Sequence, residues 1–156
     1  MISVDIRNDQ EVRPMNRAAV RAFLKEAIRF LLPGNSWRVG LVFVEDDQIT
    51  QFNTQYLGED RPTDVLAFSM REGKALAGDT TFLGDIMIST ETARRNAKRF
   101  RCSIEKELAL YLVHGLLHLL GYEDKTASQK RRMRHKEGEV LGHCRNVVSL
   151  KRLTQP

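Results

Sequence analysis

His114-Gly115-Leu116-Leu117-His118-Leu119-Leu120-Gly121-Tyr122-Glu123-Asp124 closes a largely apolar segment that begins at Leu108. Two histidines four residues apart share one helix face, with Cβ atoms roughly 5–6 Å apart. Their imidazoles can therefore take one ion from the same side, as histidine pairs at this spacing do in metalloprotease helices. Gly121 follows within one turn, and glycine suits the left-handed position that ends a helix. The chain can then double back and present Asp124, a carboxylate that zinc accepts. Three protein ligands with one open position describe a catalytic metal site rather than a structural one. A lone histidine on an apolar helix is more often a hydrogen-bonded core residue. Two at ligand spacing differ, because burying both without partners would cost on the order of 2 kcal/mol or more each. A metal ion removes that penalty.

The chain of 156 residues fits one domain, 1–156, and its 42% hydrophobic and 29% charged residues are ordinary globular values. No apolar run approaches the ~20 residues needed to cross a bilayer. Met1–Ile6 offers neither a basic nor an apolar signal region. Cys102 and Cys144 are far apart and read as reduced core thiols. These features predict a cytoplasmic protein with no membrane partner. A net charge of +5 favours a polyanionic partner. Arg94, Arg95, Lys98, Arg99 and Arg101 precede the motif segment, and Lys125, Lys130, Arg131, Arg132, Arg134 and Lys136 follow it. A charge run is usually a solvated helix face. Two of them flanking a metal site point to a phosphate backbone, which is bound chiefly by Arg and Lys.

Working outward, Ile2–Arg7 alternates as a half-buried strand. Val20, Phe23, Leu24, Ala27, Ile28 and Leu31 recur at helical spacing, with Asn16 as N-cap and Pro33-Gly34 as the stop. Trp37–Val44 reads as a strand, and Asp46 or Asp47 caps a short helix through Tyr56. Gly58–Pro62 is a loop. Val65–Phe68 and Phe82–Ser89 are strands joined by a polar connection around Arg71–Gly78. Thr90 with Glu91 starts a helix to about Arg101, and Ser103 with Glu105 starts the motif helix. Thr126 and Gln129 have capping-box spacing and begin a last helix at Ala127. The order β-α-β-α-β-β-α-α-α predicts an α+β domain: a small mixed four-stranded sheet packed with about five helices.

Taken together, these residues resemble the YbeY family of bacterial endoribonucleases, whose signature is His-Gly-x-Leu-His-Leu-x-Gly-Tyr-Asp-His. Arg61-Pro-Thr-Asp-Val-Leu-Ala-Phe68 and Leu83-Gly-Asp-Ile-Met-Ile-Ser89 resemble two further family segments, and Met133 and Glu137 stand where the family has Met and Glu. The resemblance runs from about Ile49 to Leu141. It implies a single-strand-specific, zinc-dependent endoribonuclease acting in ribosomal RNA maturation, at the 16S 3′ end, and in ribosome quality control. Its partners would be single-stranded RNA, ribosomal RNA and the small ribosomal subunit. In that light His114, His118 and Asp124 hold the metal, His114 and His118 serve catalysis, and Arg94, Arg95, Lys98 and Arg99 bind RNA.

Two positions depart from the family. Asp124 replaces its third histidine, preceded by Glu123 where Asp is usual, and Leu57 replaces an active-site Arg after Tyr56. Arg61, four residues on, is the catalytic cation in its place, with a solvated loop Arg as the alternative. Asp for His adds negative charge and hardens the site, shifting preference somewhat towards Mn²⁺ or Fe²⁺ with zinc as default. Glu123 lies one position off the ligand spacing. Asp64 and Asp85, both in matching segments, either orient ligands or floor the groove, or simply make strand-end hydrogen bonds.

Two rivals remain open on sequence. The spacing His-x-x-x-His-x-x-Gly-x-x-Asp, with Met133 downstream, also suits a metzincin-like metalloprotease, although Gly115 stands where a protease carries its glutamate base. The other rival is a catalytically weakened RNA- or ribosome-binding module.

Overall fold

The computed structural model describes residues 1–70 and 81–155. In chain order it contains β1 (Ile2–Asn8), α1 (Arg17–Leu31), β2 (Trp37–Val44), α2 (Asp46–Leu57), β3 (Val65–Ser69), β4 (Phe82–Ser89), α3 (Thr90–Phe100), α4 (Ile104–Leu119) and α5 (Ala127–Arg145), then a 3₁₀ turn at Leu150–Thr154. The four strands form one sheet in the order β1-β2-β4-β3. β1 and β2 are parallel, as are β2 and β4, while the edge strand β3 runs antiparallel to β4. Parallel pairs need long crossovers, which α1 supplies between β1 and β2. No helix among the described residues is long and apolar enough to cross a membrane.

Strand alternation gives the sheet two covered faces. Val39, Leu41 and Phe43 of β2 and Ile86 and Ile88 of β4 join one core with Phe23, Leu24 and Ile28 of α1 and Leu108, Leu112 and Leu116 of α4. The intervening residues Val44, Leu66 and Met87 meet Ile49 of α2 on the opposite face. Helix α4 packs on β3, β4, α3 and α5 at once, which is why it is apolar nearly all round.

The approach of α4 to the sheet is set by Gly115. A Cβ there would lie 2.6 Å from Ile86 Cγ2 and 3.1 Å from Val65 Cγ1. Glycine inside a helix is unfavourable by roughly 0.5–1 kcal/mol relative to alanine, so close packing must offset it. Gly115→Ala is accordingly expected to destabilise the protein by about 1–3 kcal/mol despite its better helix propensity. Denaturant unfolding checks this, and a stabilised variant would show that α4 does not ride this close. The same crowding leaves no room for a protease glutamate at position 115.

The elements match the sequence expectations to within a residue or two, and the caps agree. Asn16, Ser103 and Thr126 accept from Ala19, Lys106 and Gln129 N–H groups. Two caps are corrected: α2 begins after Glu45, not after Asp46 or Asp47, and α3 is capped by Ser89, whose Oγ accepts from the Thr92 N–H, with Thr90 the first helical residue. Asp46 is instead turned towards α3, where Ser89 Oγ (2.6 Å), Thr92 Oγ1 (2.8 Å) and the Arg95 guanidinium donate to it. The 3₁₀ turn was not foreseen, and the connection around Arg71–Gly78 lies outside the described residues.

Burial alone would raise the Asp46 pKa, but the hydrogen bonds from Arg95, Ser89 and Thr92 outweigh it and hold the carboxyl below its usual value. A depressed folded pKa stabilises the protein above the unfolded value, and that stabilisation is lost as pH falls through the folded one. Asp46→Asn should therefore destabilise by about 1–3 kcal/mol at neutral pH. The deficit should shrink below the ordinary carboxylate range, about pH 4. A deficit of the same size at pH 7 and pH 3 would show that the charge of Asp46 contributes nothing.

Candidate metal centre

The last turns of α4 present His114 and His118 on one face, and the exit from the helix carries Asp124 back to them. Gly121 makes that exit possible. It adopts φ +96°, which side chains rarely tolerate. Its N–H donates to the His118 carbonyl (3.0 Å) and that of Tyr122 to the Leu117 carbonyl (3.0 Å), the paired bonds of a Schellman ending.

Three donor atoms then converge. His114 Nε2 and His118 Nε2 lie 3.0 Å apart. Asp124 Oδ2 is 3.4 Å from the first and 3.5 Å from the second. Donors held about 2.0–2.2 Å from a tetrahedral ion are roughly 3.3–3.6 Å from one another. Two neutral imidazoles cannot bond each other through unprotonated nitrogens, and a cation at this point satisfies both as well as the carboxylate. The three residues could hold one metal ion. All three are partly buried, with Asp124 on the more open side.

A second carboxylate fixes the first histidine. Glu137, from α5, places Oε2 3.0 Å from His114 Nδ1. With Nδ1–H donated to Glu137, the Nε2 lone pair is the one that faces Asp124 and His118. Burial opposes a charged His114, but Glu137, Asp64 and Asp124 more than compensate and raise its pKa above the usual histidine value. Those carboxylates make the point where the donors meet attractive to a cation. Sequence reading placed Glu137 by family position alone and gave it no role. The available signal was its spacing of four from Met133, a buried residue of α5, which puts both on one helix face.

The remaining sequence candidates separate. Glu123 is exposed and 3.7 Å from Lys125 Nζ, and it is Asp124 whose carboxylate converges with the two histidines. Asp64 acts electrostatically on His114, while its Oδ1 also accepts from the Val65 N–H (2.7 Å), a strand-end hydrogen bond. Asp85 faces the other side of the sheet: its neighbour Ile86 is the residue that meets Gly115, and its own Oδ1 lies over Gly40. It does not orient the histidines. Arg61 is tied to Glu59 at 2.8 Å with its side chain 73% exposed, and it makes no hydrogen bond or ion pair with His114, His118 or Asp124 among the described residues. Leu57 is exposed at the end of α2. On α3, Arg94, Arg95, Lys98 and Arg99 are all exposed, and Arg95 is in addition bonded to Asp46 and Thr92.

Residues 4–145 match the family model described as Endoribonuclease YbeY. A relative from Pelotomaculum thermopropionicum named Endoribonuclease YbeY is 48% identical over 111 residues, covering 70% of this chain and 73% of the relative. Another of the same name from Syntrophus aciditrophicus is 35% identical over 142 residues, covering 90% and 88%. The solution structure of TM1509 from Thermotoga maritima superposes with a TM-score of 0.57 at 29% identity, over 94% of this chain and 93% of that one. Family match, shared fold and the histidine pair on α4 lead to one assignment: the chain belongs to the YbeY endoribonuclease family.

Proposed function

We propose that this protein is a metal-dependent endoribonuclease that holds one zinc ion through His114, His118 and Asp124 and cuts single-stranded ribosomal RNA. Its role would be maturation of the 16S 3′ end and quality control of the small ribosomal subunit. The observation that carries the reading is the triangle of His114 Nε2, His118 Nε2 and Asp124 Oδ2, with edges of 3.0–3.5 Å. A divalent cation bound there supplies Lewis-acid stabilisation of the charge that builds on a phosphate during hydrolysis. The chain's own groups do the rest. Glu137 fixes the tautomer and ring orientation of His114. Asp64 adds negative potential beside it. The partly buried position of the ligands favours a splayed single strand over a rigid duplex. The lack of space for a base at position 115 weighs against the protease reading.

The test is cleavage of matched single-stranded and duplex RNA by the purified protein, zinc-loaded and chelator-stripped. Cleavage of the single strand alone, lost on chelation and restored by zinc, is expected. A metal-loaded protein that binds RNA and cuts neither form would leave the non-catalytic module as the better reading.

The basic residues of α3 carry a separate expectation. Arg94→Glu with Arg99→Glu should weaken RNA binding and flatten its salt dependence, because fewer counterions are released. Metal content should not change. Arg95 is left out of this pair because its guanidinium holds α3 to α2. Wild-type affinity and salt slope in the double variant would mean this face is merely solvated.

A further inference from the structure

The turn from α4 to α5, which leads into the ligand Asp124, carries a surface cavity of about 250 Å³, open on one side to solvent. We infer that this cavity is a base-reading subsite, which holds one unstacked guanine next to the phosphate to be cut. The inference rests on the endoribonuclease reading and adds a specificity to it.

The cavity is smaller than the ~300–1,000 Å³ clefts that take drug-sized ligands, and so fits a single base rather than a dinucleotide. Its walls come from Leu120, Gly121, Tyr122 and Glu123 on one side and Gln129 and Arg132 on the other. Glu123 directly precedes the ligand Asp124, so a base here belongs to a nucleotide adjoining the metal site. Gly121 is exposed and presents no side chain at the mouth.

The polar groups suit guanine in particular. Arg132 makes no ion pair among the described residues, in contrast to Arg61 and Arg95, and its fork can bond guanine O6 and N7 together. Glu123 can accept from guanine N1–H and the 2-amino group. Its one ion pair, to Lys125 at 3.7 Å, is solvent-exposed and weak. Gln129 Oε1 already accepts from the Lys125 and Thr126 N–H groups, both at 3.0 Å. That leaves its amide N–H groups free to donate. Tyr122, half-buried and packed against the core, also lines the cavity, and an aromatic ring is the usual partner of an unpaired RNA base. Adenine reverses the pattern at position 6 and carries no donor at N1, so it would meet Arg132 and Glu123 with mismatched groups.

The test is titration of the zinc-loaded full chain with 5′-GMP, AMP, CMP and UMP, followed by NMR. All four share the phosphate, so a difference among them reports the base. GMP is expected to bind at least about tenfold more tightly than AMP, with its shifts centred on Gly121–Glu123. Arg132→Ala and Glu123→Ala should each weaken that preference, because each removes the partner of one guanine edge, and both should keep the metal. Equal affinity for the four nucleotides would overturn the inference, as would a preference left undiminished in either variant. Cleavage of single-stranded RNA by the same preparation separates the two readings. A guanine preference without any cleavage would sink the enzyme and leave the subsite. Cleavage without a preference would do the reverse.

Discussion

Asp124→Ala should lower zinc affinity by more than the roughly 10–100-fold that loss of an outer partner of a metal ligand typically costs. The variant removes one of three donor atoms from a site whose His–carboxylate distances are 3.4 and 3.5 Å. RNA cleavage should fall with it. Asp124→His should behave differently, because it puts a third imidazole at the site and removes one negative charge beside the ion. It should retain metal and raise single-turnover cleavage at neutral pH. The imidazole reaches farther than the carboxylate, but the segment that must yield is a turn rather than packed core. Wild type, Asp124→His and Asp124→Ala would be assayed at matched metal occupancy. Equal cleavage by all three would show that position 124 is not a ligand, and the metal site would have to be rebuilt from the histidines.

Glu137→Ala should lower metal affinity by about 10–100-fold without removing any ligand. The glutamate accepts from His114 Nδ1 at 3.0 Å and so decides which ring nitrogen faces the site. Glu137→Gln keeps an oxygen acceptor and loses the charge, and it should fall between alanine and wild type. Metal titration by calorimetry orders the three. Alanine at wild-type affinity would mean that His114 is oriented by its own helix. The alanine variant should also be less stable without metal, by about 1–3 kcal/mol, since a partly buried imidazole loses its partner. That cost distinguishes a positioning role from a purely electrostatic one, which glutamine would abolish as fully as alanine.

The element order was legible in the sequence because strands, helices and caps are fixed by interactions spanning a few residues. The β-branched and aromatic residues of Trp37–Val44 marked β2, and Ser103 and Thr126 marked the starts of α4 and α5. The histidine pair was legible for the same reason: spacing of four on a helix is a local fact. Gly121 announced the turn that carries Asp124 back. What stayed hidden depends on which distant elements pack together. Glu137 reaches His114 across 23 residues, and Arg95 reaches Asp46 across 49. A charge run in sequence cannot reveal that one of its members is already neutralised. Asp85 sits in a segment shared with the family, yet the pleat turns it away from α4, and only the sheet's placement against the helix decides that. Gly115 could be read as close packing, but the atoms that forbid a side chain belong to Ile86 and Val65. The sequence by itself therefore determined the parts and the ligand-bearing helix. The tertiary structure decided the partners, because a side chain's environment is set by neighbours that the chain brings together only when it folds.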